Sequence, residues 1–164
     1  MTLELHRPVL VGQIHADGSD YVVEATAREC LALTERMMLP AVLSLRCSFH
    51  LVRETGSTIR GRGTLKARVV QTCIISLDDF EADVEERFSV RFVPAGSETD
   101  DLDPEADDEI PFENGVLDLG EAAAEQLGLA LDPYPRMPDA TLPDTAVEPE
   151  PHPFDALRKL QRPN

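Results

Sequence analysis

Three long segments of the chain alternate apolar and polar residues, the pattern of β-strands that bury one face. Between Ala41 and Arg53 most apolar residues fall on odd positions, from Leu43 to Leu51. Residues 58–70 follow the same rule, whereas residues 80–93 carry their apolar side chains on even positions. The pattern predicts a meander of three long strands.

The turn between the first two strands, residues 54–57, fixes which residues face each other. If both apolar sets share one face, the numbers of paired residues must add up to an even number. An odd-length loop centred on Gly56 meets this condition. We therefore expect His50 opposite Arg62 and Arg46 opposite Lys66.

Shorter elements precede this meander. Residues 9–14 and 21–25 read as strands of a first hairpin, separated by a turn of Ala, Asp, Gly and Ser. Thr26 and Glu29 form a capping-box pair, which predicts a helix that must end before Pro40.

The second half of the chain changes character. Residues 98–109 hold eight carboxylates, which predicts a solvated loop rather than a helix or strand. Asp118 caps a predicted helix that extends to Asp132. Residues 133–153 contain seven prolines and predict an extended linker, and residues 153–161 form a short amphipathic segment that we expect to become a helix by docking.

These elements predict an α+β fold: a curved or barrel-like antiparallel β-sheet of about five strands, packed against one or two helices. We expect residues 1–132 to form a single domain that includes an acidic loop at 95–115. Residues 133–164 would form a proline-rich C-terminal extension that ends in a short amphipathic helix.

Composition narrows the functional classes. The chain has 164 residues and a formal net charge of −16, so any RNA contact requires a segregated basic patch. No apolar run reaches about 18 residues and the N-terminal sequence lacks the pattern of an export signal, so we expect a cytoplasmic protein without membrane contact. Cys30, Cys47 and Cys73 are scattered and odd in number, which indicates buried reduced thiols and supports no zinc site.

The sequence offers no catalytic signature. It contains no nucleophile elbow, phosphate loop, zinc-protease helix or dinucleotide-binding glycine pattern. Cys47 and His50 lie three residues apart on one strand and would point to opposite faces. The acidic run lacks the spacing and the central glycine of a calcium loop. We therefore expect that the protein is not an enzyme and that it binds no metal, cofactor or small-molecule substrate. A hydrolase whose active-site pocket has no recognisable sequence motif is the alternative.

A row of basic residues along the predicted strands is the strongest candidate site. We expect its members to lie on one face, where alternate residues of a strand are about 6–7 Å apart, a spacing that suits contact with a phosphate backbone. The members are Arg46, His50, Arg60, Arg62, Lys66 and Arg68. The alternative is ordinary cross-strand pairing, because Glu81, Asp83 and Glu85 lie on the next predicted strand.

Residues 61–92 (GRGTLKARVVQTCIISLDDFEADVEERFSVRF), 118–140 (DLGEAAAEQLGLALDPYPRMPDA) and 153–160 (PFDALRKL) resemble the YceD-like family of bacterial and plastid large ribosomal RNA subunit accumulation proteins. The helix that ends in Asp-Pro-Tyr-Pro-Arg is the most specific part, and it is similar to the alphaproteobacterial branch. Many family members carry Cys-x-x-Cys where this chain has Cys73-Ile74-Ile75-Ser76, so no metal or redox role of that pair transfers.

The resemblance implies non-enzymatic work in ribosome biogenesis, by binding large-subunit ribosomal RNA or a precursor particle. It makes the basic row an RNA-facing surface and adds Tyr134 and Arg136 as a second candidate, since an aromatic ring beside a guanidinium can stack on a base. Their alternative is that Tyr134 and Pro135 fold back onto the sheet. A rival function is an acidic adaptor for a basic ribosomal or assembly protein, which would use Asp100, Asp101, Asp103, Asp107, Asp108 and Glu109.

Overall fold

The computed structural model describes residues 4–99 and 106–141, which form seven strands and two helices. In chain order these are β1 (Pro8–Leu10), β2 (Ser19–Glu24), α1 (Ala27–Met37), β3 (Ala41–Arg53), β4 (Ile59–Thr72), β5 (Asp79–Pro94), β6 (Asp108–Phe112), β7 (Val116–Asp118) and α2 (Leu119–Ala130). The predicted α+β class is confirmed, and the helices predicted after Thr26 and after Asp118 are present.

The main sheet has five strands in the order β2-β3-β4-β5-β6. Its first three pairings are antiparallel, as the alternating pattern predicts. Arg46 lies opposite Lys66 and His50 lies opposite Arg62, so the predicted register of the β3–β4 hairpin is confirmed.

The sheet differs from the prediction at its ends. Strand β6 runs parallel to β5, so the sheet is mixed rather than wholly antiparallel. Strand β1 pairs with β7 in a separate two-stranded sheet, so the expected hairpin of β1 with β2 does not form. Residues Val11–Gln13 form a 3-10 turn instead of continuing the strand, because their backbone is bonded elsewhere: Val11 N donates to the carbonyl of Gly115 (2.9 Å) and Arg53 donates to the carbonyl of Val11 (2.6 Å).

Two acidic residues at the end of the predicted loop, Asp108 and Glu109, belong to β6. Burial explains this difference, because Phe112 of the same strand reaches the core with 8 % of its surface exposed. The Glu109 carboxylate accepts hydrogen bonds from Arg91 (3.0 Å) and from the backbone N–H of Thr99 (2.7 Å). Carboxylates that are satisfied in this way are compatible with a short edge strand.

A β-bulge near the start of β3 corrects the side-chain pattern there. The register shifts between Val42 and Ser44. Val42 therefore turns into the core with 5 % exposure, and Leu43, which fitted the odd-numbered apolar set, is 46 % exposed. Bulges place two residues opposite one and so exchange the faces of their neighbours.

Both helices pack against the apolar face of the main sheet and share one core with it. Thr26 and Glu29 form the predicted capping box at the start of α1, which ends with Met38 in the left-handed conformation. Asp118 caps α2 by accepting from the backbone N–H groups of Gly120 and Glu121. No helix in the described ranges is long and apolar enough to span a membrane.

Candidate nucleic-acid interface

The polar face of the main sheet, here called the outer face, carries the predicted basic row. It consists of the even-numbered residues of β2, of β3 after the bulge and of β4, and of the odd-numbered residues of β5 up to Arg91, because their neighbours of opposite parity point towards the core. The registers of the four strands align these residues in rows that cross the sheet. Each row places one side chain per strand side by side.

Four residues of the predicted row are already engaged in ion pairs. In one row Arg46 pairs with Glu24 of β2, and Lys66 lies 3.5 Å from Glu85 of β5. In the next row Arg68 contacts two carboxylates of β5, those of Glu81 and Asp83. Arg60 pairs with Glu54 (2.6 Å) and approaches Asp107 (3.8 Å).

Arg60 belongs to a dense cluster at the end of the outer face. Its direct neighbour across the β4–β5 ladder is Arg91, a like charge. Glu54 lies between the two, 2.6 Å from Arg60 and 3.6 Å from Arg91, and Glu109 contacts Arg91 at 3.0 Å. The carboxylates neutralise the two guanidinium groups, so this end of the face offers little free positive charge.

Two arginines in the middle of the face have a different environment. Arg62 lies between His50 and Ser89 in its row, and Arg87 lies opposite Thr64 in the adjacent row. Both side chains are exposed, and neither makes an ion pair within residues 4–99 and 106–141. They are therefore the cations of this face that a phosphate could approach without displacing a carboxylate.

An open depression of about 730 Å³ lies between these two arginines. Its polar lining comes from outer-face side chains, namely Asp20, Ser48, His50, Arg62, Thr64, Arg87 and Ser89. We call it the outer-face depression. Tyr21, Phe49, Gly63 and Phe88, which alternate with these residues along the four strands, complete its lining.

The outer-face depression has a fixed wall and a fixed floor. His50 Nδ1 donates a hydrogen bond to the Asp20 carboxylate (2.7 Å), and the His50 ring packs against Gly18, where a Cβ atom would lie 2.6 Å from Cε1. Below the floor, Phe88 covers Gly63 and meets Phe49 edge to face at 5.5 Å between ring centres. A glycine beneath an aromatic ring keeps the strand backbone close to the core at this point.

The second predicted site, Tyr134 and Arg136, does not join the basic row. The segment after α2 folds back onto the end of β4 and the β4–β5 turn: Ile74 N donates to the Pro135 carbonyl (2.9 Å), and the side-chain amide of Gln71 donates to the Asp132 carbonyl (3.2 Å). Tyr134 remains 68 % exposed, so its ring is not part of this contact. Neither Tyr134 nor Arg136 lines the outer-face depression.

The three cysteines are free and buried, as predicted. Burial raises the pKa of the Cys47 thiol to about 12. The Cys73 thiol accepts hydrogen bonds from the backbone N–H groups of Ser76 and Met137, which lower its pKa, while its burial opposes that shift. In the described part of the chain no group of three or more His, Cys, Asp or Glu residues is placed to hold a metal ion.

The acidic residues of the rival function divide into two groups. Asp107 and Glu109 face Arg60 and Arg91, as described above, and Asp108 begins β6. Asp100, Asp101 and Asp103 lie outside the described residues, as does the amphipathic segment 153–161. The predicted adaptor surface therefore stays a prediction.

The sequence-based site omitted Arg87, Ser48 and Thr64. All three occupy polar positions of the alternating strands, but the sequence does not show that Arg87 lies beside Thr64, because that depends on the β4–β5 register. In that register paired numbers add up to 151, as for Thr64 and Arg87. No turn residue between these strands fixes the sum, so the alternation alone could not select it.

Comparison with known proteins gives one match. A sequence model of the family described as "Large ribosomal RNA subunit accumulation protein YceD" matches residues 61–161, more than half of the chain. No curated protein and no solved structure matches the chain.

Proposed function

Because the chain belongs to the YceD family of large ribosomal RNA subunit accumulation proteins, we propose that it supports the accumulation of large-subunit (23S) ribosomal RNA by binding that RNA or its precursor particle in the cytoplasm. Its role is that of a non-enzymatic assembly factor. The observation that carries the binding step is the outer-face depression, where Arg62 and Arg87 stand exposed around small polar side chains.

In this proposal the two arginines bind phosphate oxygens of the RNA backbone. Guanidinium groups suit this role because their fixed N–H donors can bond two phosphate oxygens at once. Thr64, opposite Arg87, and Ser89, opposite Arg62, lie beside both arginines, and their hydroxyl groups can donate further hydrogen bonds to phosphate or ribose. Phosphate contacts of this kind position a protein without reading sequence, so a larger part of the RNA structure must supply specificity.

In this proposal the basic residues of the outer face that already form ion pairs contribute less to RNA binding than Arg62 and Arg87 do. A phosphate that approaches Lys66 or Arg68 must compete with carboxylates already held at 3.5–3.6 Å. The high negative charge of the remaining surface repels RNA from other parts of the molecule. Of the six residues predicted in the basic row, this proposal therefore assigns the leading role to Arg62, with His50 at the rim, and adds Arg87.

The test is ultraviolet crosslinking in cells, followed by sequencing of the attached RNA. A double variant, Arg62→Gln with Arg87→Gln, removes the unpaired cations. Its matched control, Lys66→Gln with Arg68→Gln, removes two paired cations of the same face and changes the net charge equally. We expect crosslinks to large-subunit RNA to be lost in the first variant and retained in the control.

The same pair of variants can be compared by RNA binding in vitro at several salt concentrations. Each lost phosphate contact lowers the slope of log affinity against log salt by about one, so the first variant should lose about two units. Equal losses in both variants would show that overall charge, not this depression, governs binding.

The rival function predicts a different recovery. An acidic adaptor would yield a stoichiometric basic protein and no RNA. Binding to that protein would persist in both arginine variants and disappear when Asp100, Asp101, Asp103 and Asp108 become asparagine. Asp107 and Glu109 are left unchanged in that variant because they neutralise Arg60 and Arg91.

A further inference from the structure

Strand β5 has a long free edge. It extends from Asp79 to Pro94 and pairs with β4 from Asp79 to Phe92, without a bulge. On its other side β6 covers only Val90–Pro94. Among the described residues, no strand pairs with residues 79–89 on that side.

Within residues 4–99 and 106–141, this edge presents backbone hydrogen-bonding groups that no other strand uses. In an antiparallel pair alternate residues bond to the neighbouring strand, so the residues between them direct both N–H and C=O outward. Eleven residues at about 3.3 Å each give an edge of about 36 Å. A regular edge of this length is a template for a further strand.

The space beside the edge can accommodate side chains. A groove of about 310 Å³ lies between β5 and the segment that follows α2. Phe80, Ala82 and Val84 of β5 form its apolar side, and each is only half-buried. Pro135 and Arg136 form the opposite side. An added strand would cover these three apolar side chains on its inward face.

The charge of residues 79–89 indicates what kind of strand could pair with this edge. Residues 79–89 carry five carboxylates and one cation, Arg87. Two copies of this chain would bring the same carboxylates together, which disfavours pairing of β5 with β5. Acidic side chains on an edge commonly prevent such self-association. They do not oppose a basic partner.

The rows of the outer face favour a basic partner directly. One row reads Glu24, Arg46, Lys66, Glu85 across the sheet, and the next places Arg68 beside Asp83. Both rows end on β5 with a carboxylate. Asp83 is 86 % exposed, and Glu85 is 56 % exposed. A lysine or arginine on the next strand would continue the alternation of charge.

We propose that the free edge of β5, residues 79–89, binds an extended segment of a basic protein, rich in lysine or arginine, as an additional β-strand. Its alternate apolar side chains enter the groove beside Phe80, Ala82 and Val84, and its cations meet Asp83 and Glu85. Of the two arginines of the outer-face depression, Arg87 belongs to this edge strand and Arg62 does not, and the cations of the added strand meet Asp83 and Glu85 rather than either arginine.

The test uses the full-length protein and a fluorescent ten-residue peptide of alternating lysine and valine. We expect the peptide to bind and to slow hydrogen exchange of those backbone amides in residues 79–89 that do not bond to β4. The same peptide with N-methyl groups on its backbone amides keeps its charge but cannot extend the sheet. It should not bind or protect the edge.

A pair of variants tests the charge argument. Asp83→Asn with Glu85→Gln removes the two acceptor carboxylates, and Glu35→Gln with Glu113→Gln removes two exposed carboxylates elsewhere. We expect roughly fivefold to tenfold weaker peptide binding in the first variant and no change in the second, since exposed ion pairs contribute modestly.

Three results would overturn the proposal. The first is slow exchange, in the free protein, of those amides in residues 79–89 that do not bond to β4, which would show that its own chain or a second copy already covers the edge. The second is equal binding of the methylated peptide, which would show attraction by charge alone. The third is protection of this edge by single-stranded RNA instead of peptide, which would assign the edge to the nucleic-acid interface.

Discussion

The contact between α2 and the N-terminal segment leads to a prediction that opposes helix propensity. Gly120 lies in the first turn of α2, where a Cβ atom would come within 2.5 Å of the Leu5 carbonyl oxygen and 2.9 Å of the Arg7 backbone nitrogen. Both are backbone atoms and cannot rotate away. Arg7 is further fixed because its N–H donates to Asp118 (2.9 Å) and its carbonyl accepts from Leu119 (3.0 Å).

We therefore expect Gly120→Ala to destabilise the protein. Alanine contributes at most about 1 kcal/mol over glycine in a helix, and less in the first turn. Overpacking costs about 1–3 kcal/mol, and a rigid backbone neighbour favours the upper end. The net loss is about 2 kcal/mol, which corresponds to a Tm lower by about 4–8 °C in a chain of this size.

The same helix provides a control. At Gly128 a Cβ atom would meet the Met37 sulfur at 3.6 Å, an ordinary contact. Gly128→Ala should therefore be neutral or stabilise the protein by up to about 1 kcal/mol. Urea unfolding followed by circular dichroism measures both variants. If Gly120→Ala stabilised the protein as Gly128→Ala does, the close packing of Leu5 and Arg7 on α2 would be refuted.

Two further changes test the ion pairs and the floor of the outer-face depression. A hydrogen bond from Arg7 lowers the pKa of Glu29 from 4.5 to about 2, so the stabilisation by Glu29 is complete above pH 4.5 and is lost as the pH falls towards 2. Glu29→Gln should therefore lower the free energy of unfolding by about 1–2 kcal/mol at pH 7. The difference should shrink at pH 3, whereas a constant difference in urea unfolding would contradict the assigned cause. Gly63→Ala should cost about 1–3 kcal/mol, because a Cβ atom would lie 2.7 Å from Cε1 of Phe88, and urea unfolding unchanged from the parent protein would show that the ring yields freely.

Local sequence signals predicted the central part of the fold because the determining residues are close in the chain. The β3–β4 register follows from the parity of two alternating segments joined by a short turn. The start of α1 follows from Thr26 and Glu29, and the start of α2 from Asp118. In each case the residues that determine the geometry lie within one turn of the element.

The pairings at the edges could not be predicted in this way. Strand β1 pairs with β7 more than 100 residues later, and neither strand is longer than three residues. Strand β6 begins with Asp108 and Glu109, which resemble the preceding acidic run more than a strand. The pairing of β6 with β5 depends on the burial of Ile110 and Phe112 against the core of the main sheet. This is a tertiary effect that local propensity does not include.

The local sequence also could not show which basic residues of the candidate site are neutralised by carboxylates. Alternation along β4 places Arg62, Lys66 and Arg68 on one face, and along this strand the three are equivalent. Their difference arises across the strand: Lys66 and Arg68 face carboxylates of β5, whereas Arg62 faces Ser89. A basic residue in a sheet is therefore available to a ligand only when no carboxylate lies directly beside it in its row. By this criterion Arg62 and Arg87 are open to the phosphate that we propose for the outer-face depression, and the rows of Lys66 and Arg68 end in carboxylates on β5, beside the edge where we propose a basic strand.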